Sequence, residues 1–113
     1  MDERTRRVGR NEALFRSVNE QIEALERPIA AIADRTFHIV CECGDLECTE
    51  RIVVPVTEYE DVRADGALFF VLPGHEIPSA EDVVAVADTG AYYVVRKHDG
   101  GPQALAEATD PRA

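Results

Sequence analysis

Three cysteines fall within eight residues, in Cys41-Glu42-Cys43-Gly44-Asp45-Leu46-Glu47-Cys48. Thiolates gathered this closely repel one another until a cation arrives, so the fold must be built around that cluster. A Cys-x-Cys pair with a third Cys after four intervening residues can curl three sulfurs around one ion at about 2.3 Å. Gly44 is expected to supply the left-handed backbone such a knuckle commonly uses. Disulfides are a poor alternative. Three cysteines cannot all pair within one chain, and a Cys41–Cys43 bridge would close a small, strained ring. A secreted disulfide scaffold more often carries an even number.

A tetrahedral site needs a fourth donor. His38 lies three residues before Cys41 on a predicted strand, where alternation turns it to the opposite face. His98 ends the last predicted strand, a position where a histidine needs no role. His75 follows Pro73-Gly74 in a turn able to aim its ring inward. The predicted ligand set is therefore Cys41, Cys43, Cys48 and His75, with water, Asp45 or a partner's ligand as alternatives in the fourth place. Zinc is the default ion for these donors. An iron–sulfur cluster is the alternative, since three Cys and one His match the ligand count of the CDGSH-type proteins. Those proteins use a different spacing, with the His close to the third Cys.

At 113 residues the chain fits one domain with a modest core, to which a metal staple would add useful stability. No stretch approaches the ~20 apolar residues of a membrane span. The N-terminal residues show no apolar run like that of a secretory signal; Arg4, Arg6, Arg7 and Arg10 lead into an amphipathic segment, which reads as cytoplasmic. Charge is unevenly spread. Residues 1–36 balance seven Arg against seven acids, whereas residues 37–113 hold five bases against fifteen acids, so the whole net charge of −10 lies there. That field repels phosphate backbones and disfavours nucleic acid; a protein with a basic surface is the more natural partner.

The chain divides into a disordered Arg-rich tip (residues 1–9), a single α+β domain (10–98) and a flexible tail (99–113). Phe15, Val18, Ile22, Leu25, Ile29 and Ile32 repeat at 3-4-3-4-3 spacing and predict an amphipathic helix, with Arg16, Asn19, Glu20, Glu23 and Glu26 on its other face. Pro28 is expected to stop or kink it near Arg27. The stripe either packs on its own sheet or docks a partner through Phe15, Val18, Ile22 and Leu25, a homodimer among the options.

Strands are predicted over 36–41, 51–56, 67–72 and 91–97, with 67–72 central. Thr57-Glu58-Tyr59-Glu60 reads as a capping box opening a short helix, and Ser79 as the N-cap of another ended by Gly90. The expected fold is thus α+β: an N-terminal amphipathic helix, a small, mostly antiparallel sheet, two short helices and a metal-binding knuckle.

Catalytic constellations are missing. There is no nucleophile elbow, phosphate loop or dinucleotide fingerprint. His75-Glu76 is adjacent where a zinc deaminase needs His-x-Glu, and no Cys-x-x-Cys exists. The segment from Arg10 to Glu20, the Cys41-Glu42-Cys43-Gly44-Asp45 run with Cys48, and Pro73-Gly74-His75-Glu76 together resemble a group of small uncharacterised actinobacterial proteins. The resemblance covers most of residues 10–98. It implies a bacterial cytosolic setting, supports pairing the cysteines with His75, and brings no activity. The expectation is a non-enzymatic, zinc-stabilised adaptor or regulatory module; the alternative is a thiol-based redox or metal sensor.

Overall fold

Alternation builds the first pair of strands. In β1 (Thr36–Val40) Phe37 and Ile39 are buried, and in β2 (Arg51–Pro55) so are Ile52 and Val54. The two run antiparallel, with Phe37 opposite Val54 and Ile39 opposite Ile52, so the apolar pairs share one face. The computed structural model describes residues 1–33 and 35–112, with the backbone alone for residues 27–33. Its remaining elements are α1 (Glu3–Ala33), α2 (Val56–Arg63), β3 (Leu68–Val71), β4 (Glu81–Val86), β5 (Tyr93–Lys97) and α3 (Gly101–Ala108). The fold is α+β, with an N-terminal helix and two small antiparallel sheets, β1-β2 and β3-β5-β4.

The fully apolar run Leu68–Val71 is not the central strand; β5 is. Burial on both faces of β3 has another cause. Its far edge is covered by the cysteine segment, where the Glu42 amide donates to Phe70 O at 2.8 Å and the Leu72 amide donates to Cys41 Sγ at 3.3 Å. The knuckle thereby stitches the two sheets together. A relay of rings does the same in the core, from Phe37 to Tyr59 at 5.1 Å, Tyr59 to Phe70 at 5.7 Å and Phe70 to Tyr92 at 5.6 Å.

Several local expectations are corrected. Residues 81–86 form a strand where Ser79 and two acids signalled a helix, because three of those six residues are valines that suit a pleated ribbon. Gly90, with φ +74°, sits in the β4–β5 connection. The capping box does not form: α2 begins at Val56, Pro55 is its N-cap, and Glu60 is bound by Arg112 instead. Proline removes one donor without obliging a helix to end, and α1 runs past Pro28 to Ala33. The side chains of Ile29 and Ile32 lie outside the described residues.

Both termini are more ordered than expected. The Thr5 amide donates to Asp2 Oδ1 at 2.7 Å, an N-cap that starts α1 at Glu3. In the tail, Pro102 opens α3, and Arg112 is gripped by Glu20 and Glu60. Gly9 lies against Leu105 and Gly101 against Met1, so the two ends brace each other.

The largest correction concerns which side of α1 faces inward. Glu12, Arg16, Asn19 and Glu23 are all at most 2 % exposed, at 4-3-4 spacing along one face. Of the apolar stripe, Phe15 and Ile22 are half-buried, whereas Val18 is 38 % exposed and Leu25 82 %. The helix docks by its polar face because the surface beneath it offers carbonyls and charges. The Arg16 guanidinium donates to Gly66 O and Ala106 O, both at 2.7 Å, and lies 4.5 Å above the Phe69 ring. Glu12 meets the Lys97 ammonium at 2.8 Å, which also donates to Glu81 at 2.9 Å.

One ammonium between two buried carboxylates leaves a negative charge in excess. Burial pushes the Glu12 carboxyl up from 4.5 to about 8, against the pull of Lys97 and with the Glu81 carboxylate adding to the push. A carboxyl whose pKa rises on folding contributes stability that is full below its unfolded value and lost as pH climbs through the folded one. Wild-type stability in urea, relative to Glu12→Gln, is therefore expected to decline between about pH 5 and pH 8. Parallel pH profiles for the two proteins would refute this.

Candidate metal centre

Backbone geometry delivers the four donors to one point. Phe37, Ile39 and Cys41 share the buried face of the first strand and its extension, which turns His38 outward. Beyond β1 the chain keeps alternating, so Cys41 and Cys43 emerge on one side with Glu42 on the other. The Asp45 side chain receives the Glu47 amide at 2.9 Å and its carbonyl receives the Cys48 amide at 3.0 Å, a tight turn that returns Cys48 to the cluster. His75 arrives from the β3–β4 connection. Gly74, with φ +90°, and the bond from the His75 amide to Leu72 O at 2.9 Å fold that turn back.

The ligand atoms of Cys41, Cys43, Cys48 and His75 all lie within 4.8 Å of one another. His75 Nδ1 is 3.7 Å from both Cys41 Sγ and Cys48 Sγ. A tetrahedral ion with sulfur at about 2.3 Å and nitrogen at about 2.0 Å would set its ligands roughly 3.5–3.8 Å apart, so this spacing suits a metal ion. The cysteines form no disulfide. Asp45, the alternative fourth donor, is occupied by its own turn, and His98 instead meets Asp82 at 3.1 Å.

The Cys41 sulfur also receives the Leu72 amide at 3.3 Å. Such a donor stabilises negative sulfur. The thiols share their protons unequally. Cys43 is pulled down to about 5, chiefly by its hydrogen bond with Cys41, against burial and with help from His75. Cys41 is pushed up by that same bond and by burial, and burial also raises Cys48. Protons alone thus leave one thiolate beside two thiols; a divalent cation is what would let all three ionise.

Sequence reasoning assigned no role to the residue between the first two ligands. Glu42 is wholly buried and accepts from Arg63 Nη1 at 2.9 Å, Arg63 Nη2 at 2.7 Å, Asn19 Nδ2 at 2.7 Å and the Phe70 amide at 3.0 Å. Asn19 also exchanges two bonds with the Val40 backbone, at 2.8 and 2.7 Å. Asn11 donates to Gly44 O at 3.0 Å. The signal for Glu42 lay in its alternation with two cysteines, which turns it away from them into the core.

Gly44 has a different reason from the one expected. It is not among the positive-φ glycines; instead, a Cβ there would collide with Val8 Cγ1, so α1 lies directly on the knuckle. Of the stripe residues Phe15, Val18, Ile22 and Leu25, Ile22 packs against the core.

No known family model, curated protein or solved structure matches this chain.

Glu42→Gln would leave the Arg63 charge buried with a weakened partner. A loss of about 3 kcal/mol in unfolding free energy is expected, read by urea denaturation. A change within about 0.5 kcal/mol would show the pair to be dispensable.

Proposed function

We propose that this chain is a non-enzymatic, zinc-stapled protein-binding module that acts as an adaptor or regulator. The observation that carries the metal assignment is the convergence of three sulfurs and one imidazole nitrogen within 4.8 Å. Zinc suits that donor set better than harder or square-planar ions. An iron–sulfur cluster is the rival occupant, separable by elemental analysis and visible absorption. Four protein donors fill a tetrahedral shell, whereas catalytic zinc keeps a position open. That supports a structural role.

The partner surface is the outward stripe of α1. Leu14 at 53 %, Val18 at 38 % and Leu25 at 82 % exposure present apolar area on a helix whose inner face is occupied by polar bonds. The acidity of residues 37–113 suits a partner with a basic surface. The likeness to small actinobacterial proteins fits a bacterial cytoplasmic setting, and no described helix is long and apolar enough to cross a membrane.

A second reading, a thiol-based metal or redox sensor, is favoured by one specific observation. Cys43 and His75 line an open cleft, so the cluster is approachable from solvent.

Elemental analysis of purified protein is expected to give one zinc per chain. Cys43→Ser should lower both the metal content and Tm by an amount comparable to chelation, since structural zinc contributes on the order of 10 kcal/mol of apparent binding energy. Full occupancy with an unchanged Tm would refute the staple. For the partner surface, Val18→Glu combined with Leu25→Glu should leave Tm and metal content intact while abolishing either self-association in sedimentation or co-purification of a stoichiometric partner from native cytosol. Unchanged association would exclude this face.

A further inference from the structure

The outer strand of the three-stranded sheet has an open edge. In the order β3-β5-β4, β4 bonds to β5 and ends the sheet, and its residues from Asp82 to Val86 are all exposed. Val83, Val84 and Val86 are 41 %, 51 % and 58 % exposed, so apolar side chains reach solvent beside an unpaired backbone. Such edges are normally guarded by lysine or proline, and residues 81–86 contain neither.

Two bonds fix which backbone groups face that edge. The His98 amide donates to Ala80 O at 2.8 Å, and the Ala87 amide donates to Tyr92 O at 3.0 Å. Antiparallel pairs alternate between bonded and non-bonded, so Asp82 and Ala85, two positions inward from each, also turn their amides and carbonyls towards β5. The amides and carbonyls of Val83 and Val86 therefore point away from it. The register slips between Val83 and Ala85, leaving Val84 as a bulge. A bulge twists its strand, which limits pairing at this edge to a short segment instead of a long continued sheet.

The strand ends at a groove of about 460 Å³, within the roughly 300–1,000 Å³ usual for ligand pockets. Val53, Ala87, Ala91 and Tyr92 give it apolar walls, and its charged lining residues are Glu58 and Asp88. Arg35, the residue before Thr36, is exposed but does not line it. Burial pushes the Tyr92 phenol up, and the Glu58 and Asp88 carboxylates add to the push, so the groove carries a negative field. At the other end of β4, Asp82 is met by His98 at 3.1 Å, and the neighbouring Arg96 is held by Asp65 at 2.6 Å. The excess charge beside this edge is thus negative and concentrated at the groove.

We propose that the free edge of β4 pairs with a short extended segment of a partner protein, apolar along Val83, Val84 and Val86 and carrying an arginine or lysine that enters the groove beside Glu58 and Asp88. Main-chain bonds to Val83 and Val86 supply affinity, and the groove supplies the preference for a base. A second copy of this chain fits poorly. Antiparallel pairing about Val84 would set Asp82 opposite the copy's Val86 and diagonal to its Asp88, a like-charge contact repeated in both halves of a pair of chains each of net charge −10. The proposal rests on the protein-binding role given above and adds a partner chemistry to it, on a surface that shares no residue with the α1 stripe or the metal centre.

Amide hydrogen exchange of the full-length protein, followed by NMR with the capped peptide Arg-Val-Thr-Val-Thr-Arg, tests this. Exchange should slow at Val83 and Val86 by about tenfold with peptide at roughly ten times its Kd, while Asp82 and Ala85, already bonded to β5, change little. The peptide should bind about fivefold tighter than Glu-Val-Thr-Val-Thr-Glu. Glu58→Gln with Asp88→Asn should remove most of that preference. Val86→Pro, which takes away a donor that β5 does not use, should abolish the slowing at Val83; the wild-type measurement stands without either variant. No slowing at millimolar peptide, slowing confined to other elements, or a preference that survives Glu58→Gln with Asp88→Asn would each overturn the proposal. So would slowing that grows with protein concentration in the absence of peptide, which would give the edge to a second copy. Val18→Glu with Leu25→Glu should bind the peptide like wild type, so failure of the α1 surface and failure of this edge are read separately.

Discussion

Glu42 stands between two candidate metal ligands and faces the other way. Its carboxylate accepts four hydrogen bonds, from Arg63 twice, from Asn19 and from the Phe70 amide, in a setting with no exposure to water. A buried carboxylate is tolerable only when it is paired and fully bonded, and here each partner belongs to a different element: α2, α1 and β3. One side chain therefore fixes the position of the knuckle relative to both sheets and the long helix. The donors on either side of it cannot shift far without breaking that set of bonds.

The same logic explains why α1 turns its charged face inward. Beneath it lie carbonyls at Gly66 and Ala106 and the Lys97 ammonium, all of which need partners once water is excluded. Arg16 and Glu12 satisfy them, and Asn19 bonds the Val40 backbone, while Leu14, Val18 and Leu25 are left outside. Polar docking is directional, so it specifies one register of helix on sheet more sharply than apolar contact would. The exposed stripe is the complement of that choice, and it leaves the helix with a second surface to use.

Much of this architecture was readable from residue order. The alternation of Phe37, Ile39 and Cys41 against Ile52 and Val54 announced the first two strands, and the knuckle with a Pro-Gly-His turn announced the four residues the fold brings together. What failed did so for physical reasons. Periodicity reports that a helix has two faces without reporting which is buried, and a 4-3-4 polar stripe was as regular as the apolar one. Ser79 and its following acids are a local signal, overridden because Val83 and Val86, opposite Val95 and Tyr93, gain more from pairing with β5 than from a helical turn. Gly44 was attributed to backbone conformation when its cause is a contact with Val8, thirty-six positions away, which no local pattern encodes.

The contacts that seat α1 come late in the chain. Arg16 reaches across 90 positions to Ala106, Glu12 across 85 to Lys97, and Glu20 across 92 to Arg112. During synthesis α1 consequently leaves the ribosome well before the residues that seat it. Until then its charged side stays hydrated and its apolar side remains open, so a nascent chain offers the same oily ridge as the finished one. Any factor that engages that ridge can do so before the rest of the molecule has closed.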